Sequence, residues 1–562
     1  MVFFKTNSKN SKKTQRPEFT DINGLREFLR QKMQTDMESS PPKNLPEQEK
    51  EKYLLRYQRL RKALRSCIYG EGGEKDYVKA YLRNQIGAME LTYGECNRLL
   101  PVNDLQRLES ARKFDILMYE EMKSEGKDAF LSFCAKHGLP KEVRYEDGDY
   151  YEITSADIDA IYAENVPMFS RDELLDYLTD YVYEGFGHGL IDRLRDCRLD
   201  GISGGVCGLP EQFYRYEEEL CGAAKGTHSY DSVFVMFRGI TVRMSFFSFG
   251  SEKELRRVTK SLLRYEAPGE LSYYQPYMVN DMKDGSRVFA CRPPFSESWA
   301  FFIRKFDSAE QKKPEELIVG EGAQQLIEAL RFFVAGGLHL AITGTQGSGK
   351  TTLLKALVRY INPKYNLRIE ESVFELWMRR EFPRRNILTF RETESVDLTE
   401  GLNAFRKTDG NCLMMGEIVS IEVAALMIEL GQVSEQQLFT HHAMSTEKLI
   451  DYFQNALLRT GAFSEETMAR EQVMESFQIH VLCEKDLKGK RYIKQVCEIC
   501  PDREEYRVLF SYTDGAYRFV EGPTERLFLR MEERLPREEK GKVRLFFQKM
   551  TEAKGMTIGM CE

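Results

Sequence analysis

Residues 338–361 read LHLAITGTQGSGKTTLLKALVRYI, and this stretch decides the fold of the carboxy-terminal part of the chain. Residues 338–343 form an apolar run of strand length, and residues 352–360 continue with the leucine spacing of a helix. Between them, residues 344–351 match the pattern G-x-x-x-x-G-K-[ST] in full. A strand, a glycine-rich loop and a helix in this order predict a phosphate-binding loop. The alternative is an ordinary glycine-rich turn, which the flanking strand and helix disfavour.

Each position of this loop has a chemical task. Glycines let backbone N–H groups turn around a polyphosphate, and the start of the following helix adds its dipole. The pattern predicts that Lys350 contacts the β- and γ-phosphates and that the Thr351 hydroxyl is a ligand of Mg²⁺. The residues predicted to bind the nucleotide here are Gly344, Gly347, Ser348, Gly349, Lys350, Thr351 and Thr352.

Length and composition fit a globular protein of several domains. The 562 residues include 42% hydrophobic and 30% charged residues, which excludes collagen-like, coiled-coil and wholly disordered chains. The net charge of −7 argues against a protein that coats nucleic acid, so no nucleic-acid partner is expected. Twelve Cys are too sparse for a disulfide scaffold, and neither a signal peptide nor a membrane span is evident. We therefore expect a soluble protein in the reducing cytoplasm.

Charge, periodicity and turn residues divide the chain into five segments. The first segment is basic and then rich in Pro and Glu. The second has the periodicity of helices and the third that of strands. The fourth is a charged stretch with a Pro, and the fifth alternates helix and strand as an α/β domain does. The predicted segments are a flexible arm at 1–48, a helical region at 49–200, a small α/β domain at 201–306, a linker at 307–319 and the ATPase domain with its closing helices at 320–562.

Several local features are predicted within these segments. Inside the arm, residues 22–33 carry apolar residues at helical spacing, and this short helix either packs on its own domain or binds a partner. Capping boxes at Thr154 and Ser170 predict two helix starts. Turns at 238–239 and 284–285 predict two places where strands meet or begin. The pair Cys497 and Cys500, the only C-x-x-C, is predicted to be buried and apolar rather than zinc-binding, since no second pair is near.

Three carboxylates downstream of the loop are candidate catalytic residues. Glu417 follows the apolar run 413–415, which places it at the carboxyl end of a buried strand, where ligands bind in open α/β sheets. A carboxylate there can hold the water shell of Mg²⁺ or orient the attacking water. Glu370 and Glu371 are adjacent in a strand and face opposite ways, so only one of them easily reaches a metal. The alternative for Glu417 is a solvated loop residue.

A histidine pair ends another apolar strand, in the sequence QLFTHH. His441 and His442 are adjacent, so their alternation directs one of them inward. The alternative to a nucleotide contact is a satisfied polar pair at the end of a strand.

These segments resemble the ATPases of the type II/type IV secretion superfamily, most closely the CpaF-like branch that drives tight-adherence (Flp) pili. RIEESVFEL at 368–376 is similar to the family's acidic "Asp box", and LTFRET at 388–393 to its Arg-containing segment. LMMGEIV at 413–419 resembles its Walker B strand, and THHAMS at 440–445 its "His box". Together with upstream segments in the family's order, the resemblance covers about residues 160–500.

The resemblance implies roles for the candidate residues. Glu417 matches the catalytic Glu, Glu371 the Mg²⁺-binding Asp, and Glu370 is left as the carboxylate that polarises water. His442 matches the His that senses the γ-phosphate. Arg304 and Arg391 are candidates for cationic contacts to the phosphates, with a surface strand Arg as the alternative for each.

The resemblance also implies an architecture and a function. The fold is an α/β, RecA-like P-loop core preceded by a small α/β domain and a helical extension. The activity is Mg²⁺-dependent ATP hydrolysis that powers assembly of a type IV or Flp pilus, or of a type II/IV secretion apparatus. The partners implied are further copies in a homohexamer and an integral membrane platform protein, which would hold the ring at the inner face of the cytoplasmic membrane.

Departures from the family pattern favour an alternative. The Arg two positions after the Walker B Glu is Val419 here, and the Asn after the His-Ala pair is Met444. The Asp of the Asp box is Glu371, and the turn before the His box is GQVSEQ. The alternative is therefore a regulatory or scaffold paralogue that binds ATP and hydrolyses it weakly. A nucleic-acid motor on the same core is a third hypothesis, which a steep salt dependence of DNA binding would support.

Overall fold

A computed structural model describes residues 19–38, 46–67, 72–145, 148–185, 188–211, 227–263, 270–282, 284–306, 312–393 and 396–559. The chain divides into two compact units, residues 1–308 and residues 309–562. Each unit has its own sheet and its own apolar core. No helix within these described ranges is both long and apolar enough to cross a membrane.

The amino-terminal unit begins with helices and ends with strands. Its helices are α1 Ile22–Glu38, α2 Glu47–Cys67, α3 Gly72–Gly87, α4 Tyr93–Leu99, α5 Ser110–Glu125, α6 Ala129–His137, α7 Ser155–Glu164, α8 Arg171–Glu184, α9 Leu190–Asp196 and α10 Glu252–Ser261. Its strands are β1 Lys141–Tyr145, β2 Gly148–Ile153, β3 Gly201–Gly204, β4 Val233–Phe237, β5 Ile240–Met244, β6 Tyr277–Asp281, β7 Arg287–Cys291 and β8 Ala300–Arg304. The strands form one sheet in the order β1-β2-β5-β4-β3-β8-β7-β6.

The helix predicted at 22–33 is α1, and it packs on its own unit. Leu25, Leu29 and Met33 are buried in the amino-terminal core, and the Arg26 guanidinium donates to the Tyr181 carbonyl at 2.7 Å. Residues 22–38 of the predicted flexible arm 1–48 therefore form a helix, and the amino-terminal core covers the apolar stripe of this helix. The rest of that arm lies mostly outside the described residues.

The local signals in this unit are confirmed where the structure describes them. Thr154 and Ser170 accept from the backbone N–H groups of Asp157 and Glu173 and cap α7 and α8. Strands β4 and β5 are an antiparallel hairpin whose turn residues Arg238 and Gly239 both have positive φ, as a two-residue hairpin turn requires. Strands β6 and β7 form a second antiparallel pair, and Asp284 and Gly285 lie between them, directly ahead of β7.

The helical prediction for 49–200 missed one hairpin. Strands β1 and β2 pair antiparallel, and β2 then pairs parallel with β5, so this segment joins the sheet that was predicted for 201–306. Most of the hairpin's side chains are exposed or half-buried. The alternation of apolar and polar residues that reveals a half-buried strand is therefore weak there.

The carboxy-terminal unit alternates helices and strands. Its helices are α11 Pro314–Leu317, α12 Ala323–Ala335, α13 Lys350–Leu357, α14 Met378–Glu381, α15 Leu398–Phe405, α16 Ile421–Gly431, α17 Thr446–Arg459, α18 Glu466–Ser476, α19 Glu525–Arg534 and α20 Arg537–Gly559. Its strands are β9 Leu340–Gly344, β10 Leu367–Glu371, β11 Ile387–Arg391, β12 Cys412–Ile418, β13 Gln436–His441, β14 Ile479–Lys485, β15 Arg491–Cys500, β16 Glu505–Thr513 and β17 Ala516–Phe519. Helix α11 falls inside the predicted linker 307–319, and Pro314 is buried.

The second sheet has the order β11-β10-β12-β13-β9-β14-β15-β16-β17. Strands β9 to β14 are parallel to one another, and β15 to β17 add an antiparallel extension that begins at β14. The phosphate-loop strand β9 is separated from β12, which carries Glu417, by β13 alone. Parallel strands that alternate with helices form an α/β domain, so the predicted α/β fold class is confirmed.

Helices cover both faces of this sheet. One face packs on α12, α13, α19 and α20, and the other packs on α15 to α18. Along β10 and β12 successive side chains therefore enter different cores: Ile369 and Met414 join the first, and Met415 joins the second. Cys497 and Cys500 of β15 are buried as predicted, and burial raises the pKa of each thiol to about 11.

Candidate nucleotide site

The phosphate loop follows a fully buried strand and opens a helix. Strand β9 is buried at every residue, and α13 begins at Lys350 directly after Gly349. Gly344 has a φ of 143°, and a Cβ on it would lie 2.1 Å from the Cys483 carbonyl oxygen of the neighbouring strand β14. Only glycine fits this close backbone approach.

Lys350 lies inside the loop. Its Nζ donates to the carbonyl oxygens of Gly344 at 2.9 Å and Thr345 at 3.0 Å, and only 7% of the residue is exposed. Ser348 is also buried, and its hydroxyl donates to the Thr345 carbonyl at 2.8 Å. The ammonium group is thus held by neutral carbonyls at the place where the sequence pattern predicts a polyphosphate. Phosphate oxygens are stronger partners for it than carbonyls.

Glu417 and His442 meet at this loop. His442 Nε2 lies 2.5 Å from Glu417 Oε1, and His442 Nδ1 lies 3.3 Å from Lys350 Nζ and 3.2 Å from the Gly344 carbonyl oxygen. Both side chains are partly exposed to solvent. Strands β12, β13 and β9 are parallel neighbours, so their carboxyl ends bring the three residues to one edge of the sheet. A carboxylate, an imidazole and an ammonium group therefore meet beside the loop.

His441 points away from the loop, as the alternation in β13 predicted for one member of the pair. Its Nδ1 lies 2.9 Å from the Ile418 carbonyl oxygen, and its ring centroid is 4.2 Å from that of Tyr452. Burial lowers the pKa of His441. Of the two histidines, His442 is the one placed beside Lys350.

Glu371 lies on the face of the sheet that α13 covers. One carboxylate oxygen accepts from the backbone N–H groups of Glu375 and Leu376, both at 2.9 Å, and the other is buried without a hydrogen-bond partner among the described residues. Burial raises the pKa of Glu371 to about 7, while Lys355 of α13 acts in the opposite direction. Lys355 is one helical turn beyond Thr351, so Glu371 faces the side of α13 that carries Thr351. A buried carboxylate oxygen without a partner is a suitable Mg²⁺ ligand. The Mg²⁺ roles of Thr351 and Glu371 remain predictions.

Glu370 points to the opposite face of the sheet. A Cβ added to Gly401 of α15 would lie 2.4 Å from Glu370 Oε1, and that oxygen has no hydrogen-bond partner among the described residues. Burial, followed by the neighbouring Glu371, raises the pKa of Glu370 to about 8. The placement does not support the predicted role of Glu370 in polarising water, since α13 and Glu371 are on the other face.

The two predicted arginines have different surroundings. Arg391 ends β11, pairs in register with Glu371, and is 5.3 Å from the centroid of the Phe374 ring. It thus lies at the carboxyl edge of the sheet, two strands from Glu417. Arg304 ends β8 of the amino-terminal unit and is 5.4 Å from the centroid of the Phe306 ring. The phosphate contacts of both remain predictions.

Two cations that the sequence motifs did not predict lie beside the loop. Arg491, the first residue of β15, donates through Nε to the Gly347 carbonyl at 2.9 Å, and a Cβ on Gly347 would lie 3.7 Å from Lys485 Nζ. The only sequence signal is the basic run KGKR at 488–491, which by itself is typical of a solvated hairpin. Their position is set by pairing between strands that are far apart in sequence.

A buried histidine behind the loop was also missed. His480 of β14 has Nε2 at 2.6 Å from the Thr343 hydroxyl of β9 and Nδ1 at 2.8 Å from the Thr446 hydroxyl of α17. Burial lowers the pKa of His480 to about 3, so the ring is neutral and one nitrogen donates while the other accepts. His480 thus joins the phosphate-loop strand to the helix that follows His442.

Comparison with known sequences gives a family for part of the chain. Residues 293–500 match the family described as Type II/IV secretion system protein. The type IV pilus retractation ATPase PilT of Pseudomonas aeruginosa is 28% identical over 172 residues, which are 29% of this chain and 45% of that protein. An uncharacterized protein of Methanocaldococcus jannaschii, MJ0900, is 26% identical over 179 residues, 31% of this chain and 32% of that protein. The chain thus spans between a third and a half of the length of these relatives.

Solved structures give weaker likenesses. The ATPase DotB of Legionella pneumophila aligns over 58% of this chain and 82% of its own, with 15% identity and a TM-score of 0.40. The VirB11 ATPase of Brucella suis aligns over 54% of this chain and 89% of its own, with 18% identity and a TM-score of 0.28. The fold class rests on the strand order and on the phosphate loop.

Proposed function

We propose that this chain is an ATP-hydrolysing motor of the type II/IV secretion superfamily, since residues 293–500 match the family described as Type II/IV secretion system protein. The superfamily is the one that the sequence motifs predicted. The finer assignment, a CpaF-like motor that assembles a tight-adherence (Flp) or type IV pilus, or drives a type II/IV secretion apparatus, is part of this proposal.

One observation carries the proposal: Lys350, Glu417 and His442 converge beside the phosphate loop. Within 3.3 Å, His442 links the Walker A Lys350 to the Glu417 carboxylate that ends the Walker B strand. Phosphoryl transfer needs a cation at the β- and γ-phosphates and a group that orients the attacking water. Lys350 supplies the first and Glu417 the second.

The residues have separate tasks in this mechanism. Lys350 exchanges the carbonyls of Gly344 and Thr345 for phosphate oxygens when ATP binds. Glu417 orients water in line with the γ-phosphate and accepts its proton, and His442 places the carboxylate and contacts the γ-phosphate. Thr351 and Glu371 are the residues that would hold Mg²⁺, which neutralises phosphate charge when bound.

The partners belong to the proposal as well. We infer a homohexamer docked on an integral membrane platform protein at the inner face of the cytoplasmic membrane, with no nucleic-acid partner. The resemblance of the motifs at 368–445 and the similarity to a pilus retractation ATPase support this assignment.

A second candidate function is an ATP-binding paralogue that hydrolyses ATP weakly. The observation that favours it is the exposure of Val419 and Met444, which are 58% and 64% exposed and flank Glu417 and His442 in sequence. The resembled family has an Arg and an Asn at these positions, so two polar groups near the Glu417–His442 pair are replaced by apolar side chains.

Steady-state ATP hydrolysis in the presence and absence of Mg²⁺ tests both candidates. The parent protein is compared with Lys350→Ala and Glu417→Gln, and its size is measured with and without nucleotide. Turnover that both substitutions abolish, with assembly of a ring on ATP, is the result expected of the motor. Binding of ATP that only Lys350→Ala removes, with no turnover in the parent, would leave the paralogue.

A further inference from the structure

A hairpin formed by the end of β14 and the start of β15 borders the phosphate loop. Strand β14 pairs parallel with β9 as far as Cys483 and Gly344, so its last residues continue beside the loop. The turn that follows returns the chain through Arg491, and Lys485 and Arg491 are directly opposite each other in the antiparallel ladder. Two residues from one hairpin thus reach the same side of the loop.

One hydrogen bond and two short distances place these cations beside the loop. Arg491 Nε donates to the Gly347 carbonyl at 2.9 Å. A Cβ on Gly349 would lie 3.5 Å from Arg491 Cδ, and one on Gly347 would lie 3.7 Å from Lys485 Nζ. Gly347 and Gly349 have φ values of 73° and 95°, so the loop adopts here the conformation that turns backbone N–H groups toward an anion.

The charges of this hairpin point to an anionic ligand. Like charges directly opposite each other in an antiparallel ladder are unfavourable, and Lys485 and Arg491 are such a pair. Residues 484–494 carry five Lys or Arg and two Asp or Glu. The Glu484 carboxylate accepts from Lys494 and Tyr492, both within 2.9 Å, so its charge is directed to the other side of the hairpin. The part of the hairpin next to the loop therefore carries two cationic side chains, which attract an anion.

We infer that Arg491 and Lys485 are further nucleotide-binding residues that contact the phosphate chain of the nucleotide in the loop. This inference rests on the proposed function only in that the loop binds ATP. The nucleotide is thus held from two flanks: Lys350, Glu417 and His442 on the side of β12 and β13, and a Lys–Arg pair on the side of β14 and β15. Arg is suited to this contact because its guanidinium forms charge-assisted hydrogen bonds with phosphate oxygens.

Binding of ATP, ADP and adenosine to the full chain tests the inference. Arg491→Gln and Lys485→Gln are expected to weaken ATP binding about tenfold or more, as loss of a charge-assisted hydrogen bond does. Binding of adenosine is expected to be unchanged. A loss for ATP alone places the contact at the γ-phosphate, and equal losses for ATP and ADP place it at the α- and β-phosphates; both outcomes support the inference.

Two control variants separate this role from a structural one. Lys488→Gln removes the same charge from the exposed part of the hairpin and is expected to leave ATP affinity within twofold. Arg491→Lys keeps the charge but cannot reproduce the Nε hydrogen bond to Gly347, and it is expected to recover most of the affinity.

Three results would overturn the inference. The first is an ATP affinity of Arg491→Lys as low as that of Arg491→Gln, since Arg491 would then only hold the loop in place. The second is an ATP affinity of Arg491→Gln and Lys485→Gln within twofold of that of the parent. The third is a loss of adenosine binding in these variants that equals their loss of ATP binding. If the parent binds ATP and Lys350→Ala does not, each of these results leaves the proposed function intact; a parent that binds no ATP removes both proposals.

Discussion

His442 bridges Glu417 and Lys350: its Nε2 lies 2.5 Å from Glu417 Oε1 and its Nδ1 lies 3.3 Å from Lys350 Nζ. A single imidazole thus contacts the predicted water-orienting carboxylate and the predicted phosphate-binding ammonium group. Because the ring holds the carboxylate through one nitrogen, the position of Glu417 depends on it.

Replacing His442 is therefore expected to affect turnover more than binding. We expect His442→Ala to lower kcat of ATP hydrolysis by about 100-fold, within the range for loss of a positioned acid–base group, and to change ADP affinity less than threefold. His442→Gln keeps a side chain able to donate to Glu417 and is expected to retain more activity. Steady-state kinetics with ADP titrations measure both quantities, and an unchanged kcat for His442→Ala would exclude the bridging role.

Gly344 is expected to tolerate no side chain. Gly344→Ala places a Cβ 2.1 Å from the Cys483 carbonyl oxygen at a φ of 143°, a region essentially limited to glycine. Strain of about 3 kcal/mol or more lowers Tm of the carboxy-terminal unit by roughly 6–12 °C.

Gly461→Ala is the matched control for this substitution. Gly461 also has positive φ, at 76°, but nothing lies within 4 Å of an added Cβ. A loss of about 1 kcal/mol, or roughly 2–4 °C, is expected. Similar Tm values for the two variants in scanning calorimetry would show that the contact with Cys483 is unimportant.

Glu370 makes stability depend on pH. Its pKa rises from 4.5 to about 8 on folding, so its protonated form is favoured in the folded state. The associated stability is fully present below pH 4.5 and is lost as pH rises through about 8, with a slope of at most about 1.4 kcal/mol per pH unit.

Glu370→Gln removes this dependence, because its amide stays neutral. The Tm difference between the variant and the parent is expected to be near zero at pH 4.5 and to increase in favour of the variant up to about pH 8. Calorimetry at four pH values between these limits measures the trend. A constant difference would mean that Glu370 is not protonated in the folded protein.

His480 is expected to stabilise the base of the phosphate loop. His480→Leu leaves the buried Thr343 hydroxyl without its imidazole partner, at a cost of about 1–3 kcal/mol. Adding Thr343→Val removes the hydroxyl as well, and the double variant is expected to be more stable than His480→Leu alone. Denaturant unfolding of both single variants and the double variant gives the coupling energy, and a value near zero would contradict the contact.

The sequence predicts the parts of the site that lie in contiguous motifs. The phosphate loop, Glu417 and His442 each follow an apolar strand, and parallel strands bring their carboxyl ends together, so the meeting of the three residues was foreseeable. The alternation of a strand also correctly sent Glu370 and Glu371 to opposite faces. Which face holds α13 depends on the crossover connections, and the sequence motifs do not give it.

Residues that depend on strand register could not be predicted. Lys485 and Arg491 reach the loop only because β14 pairs with β9, whereas in sequence they look like the charged turn of a solvent hairpin. The position of His480 beside the phosphate-loop strand likewise depends on the pairing of β14 with β9. The hairpin β1–β2 was missed for a different reason, since its exposed side chains remove the apolar alternation that identifies a strand.

The position of β9 between β13 and β14 also determines when the site is completed during synthesis. In the register, the residues opposite Leu340 lie roughly 100 and 140 residues later in the chain. The phosphate loop therefore leaves the ribosome long before either neighbouring strand exists, and these non-local pairings are slow to form. A nascent chain that ends before β14 lacks the strand that lies beside its phosphate loop. If the loop binds ATP as proposed, full binding is expected only once β14 has been synthesised, and ATP would then stabilise the chain late in its folding.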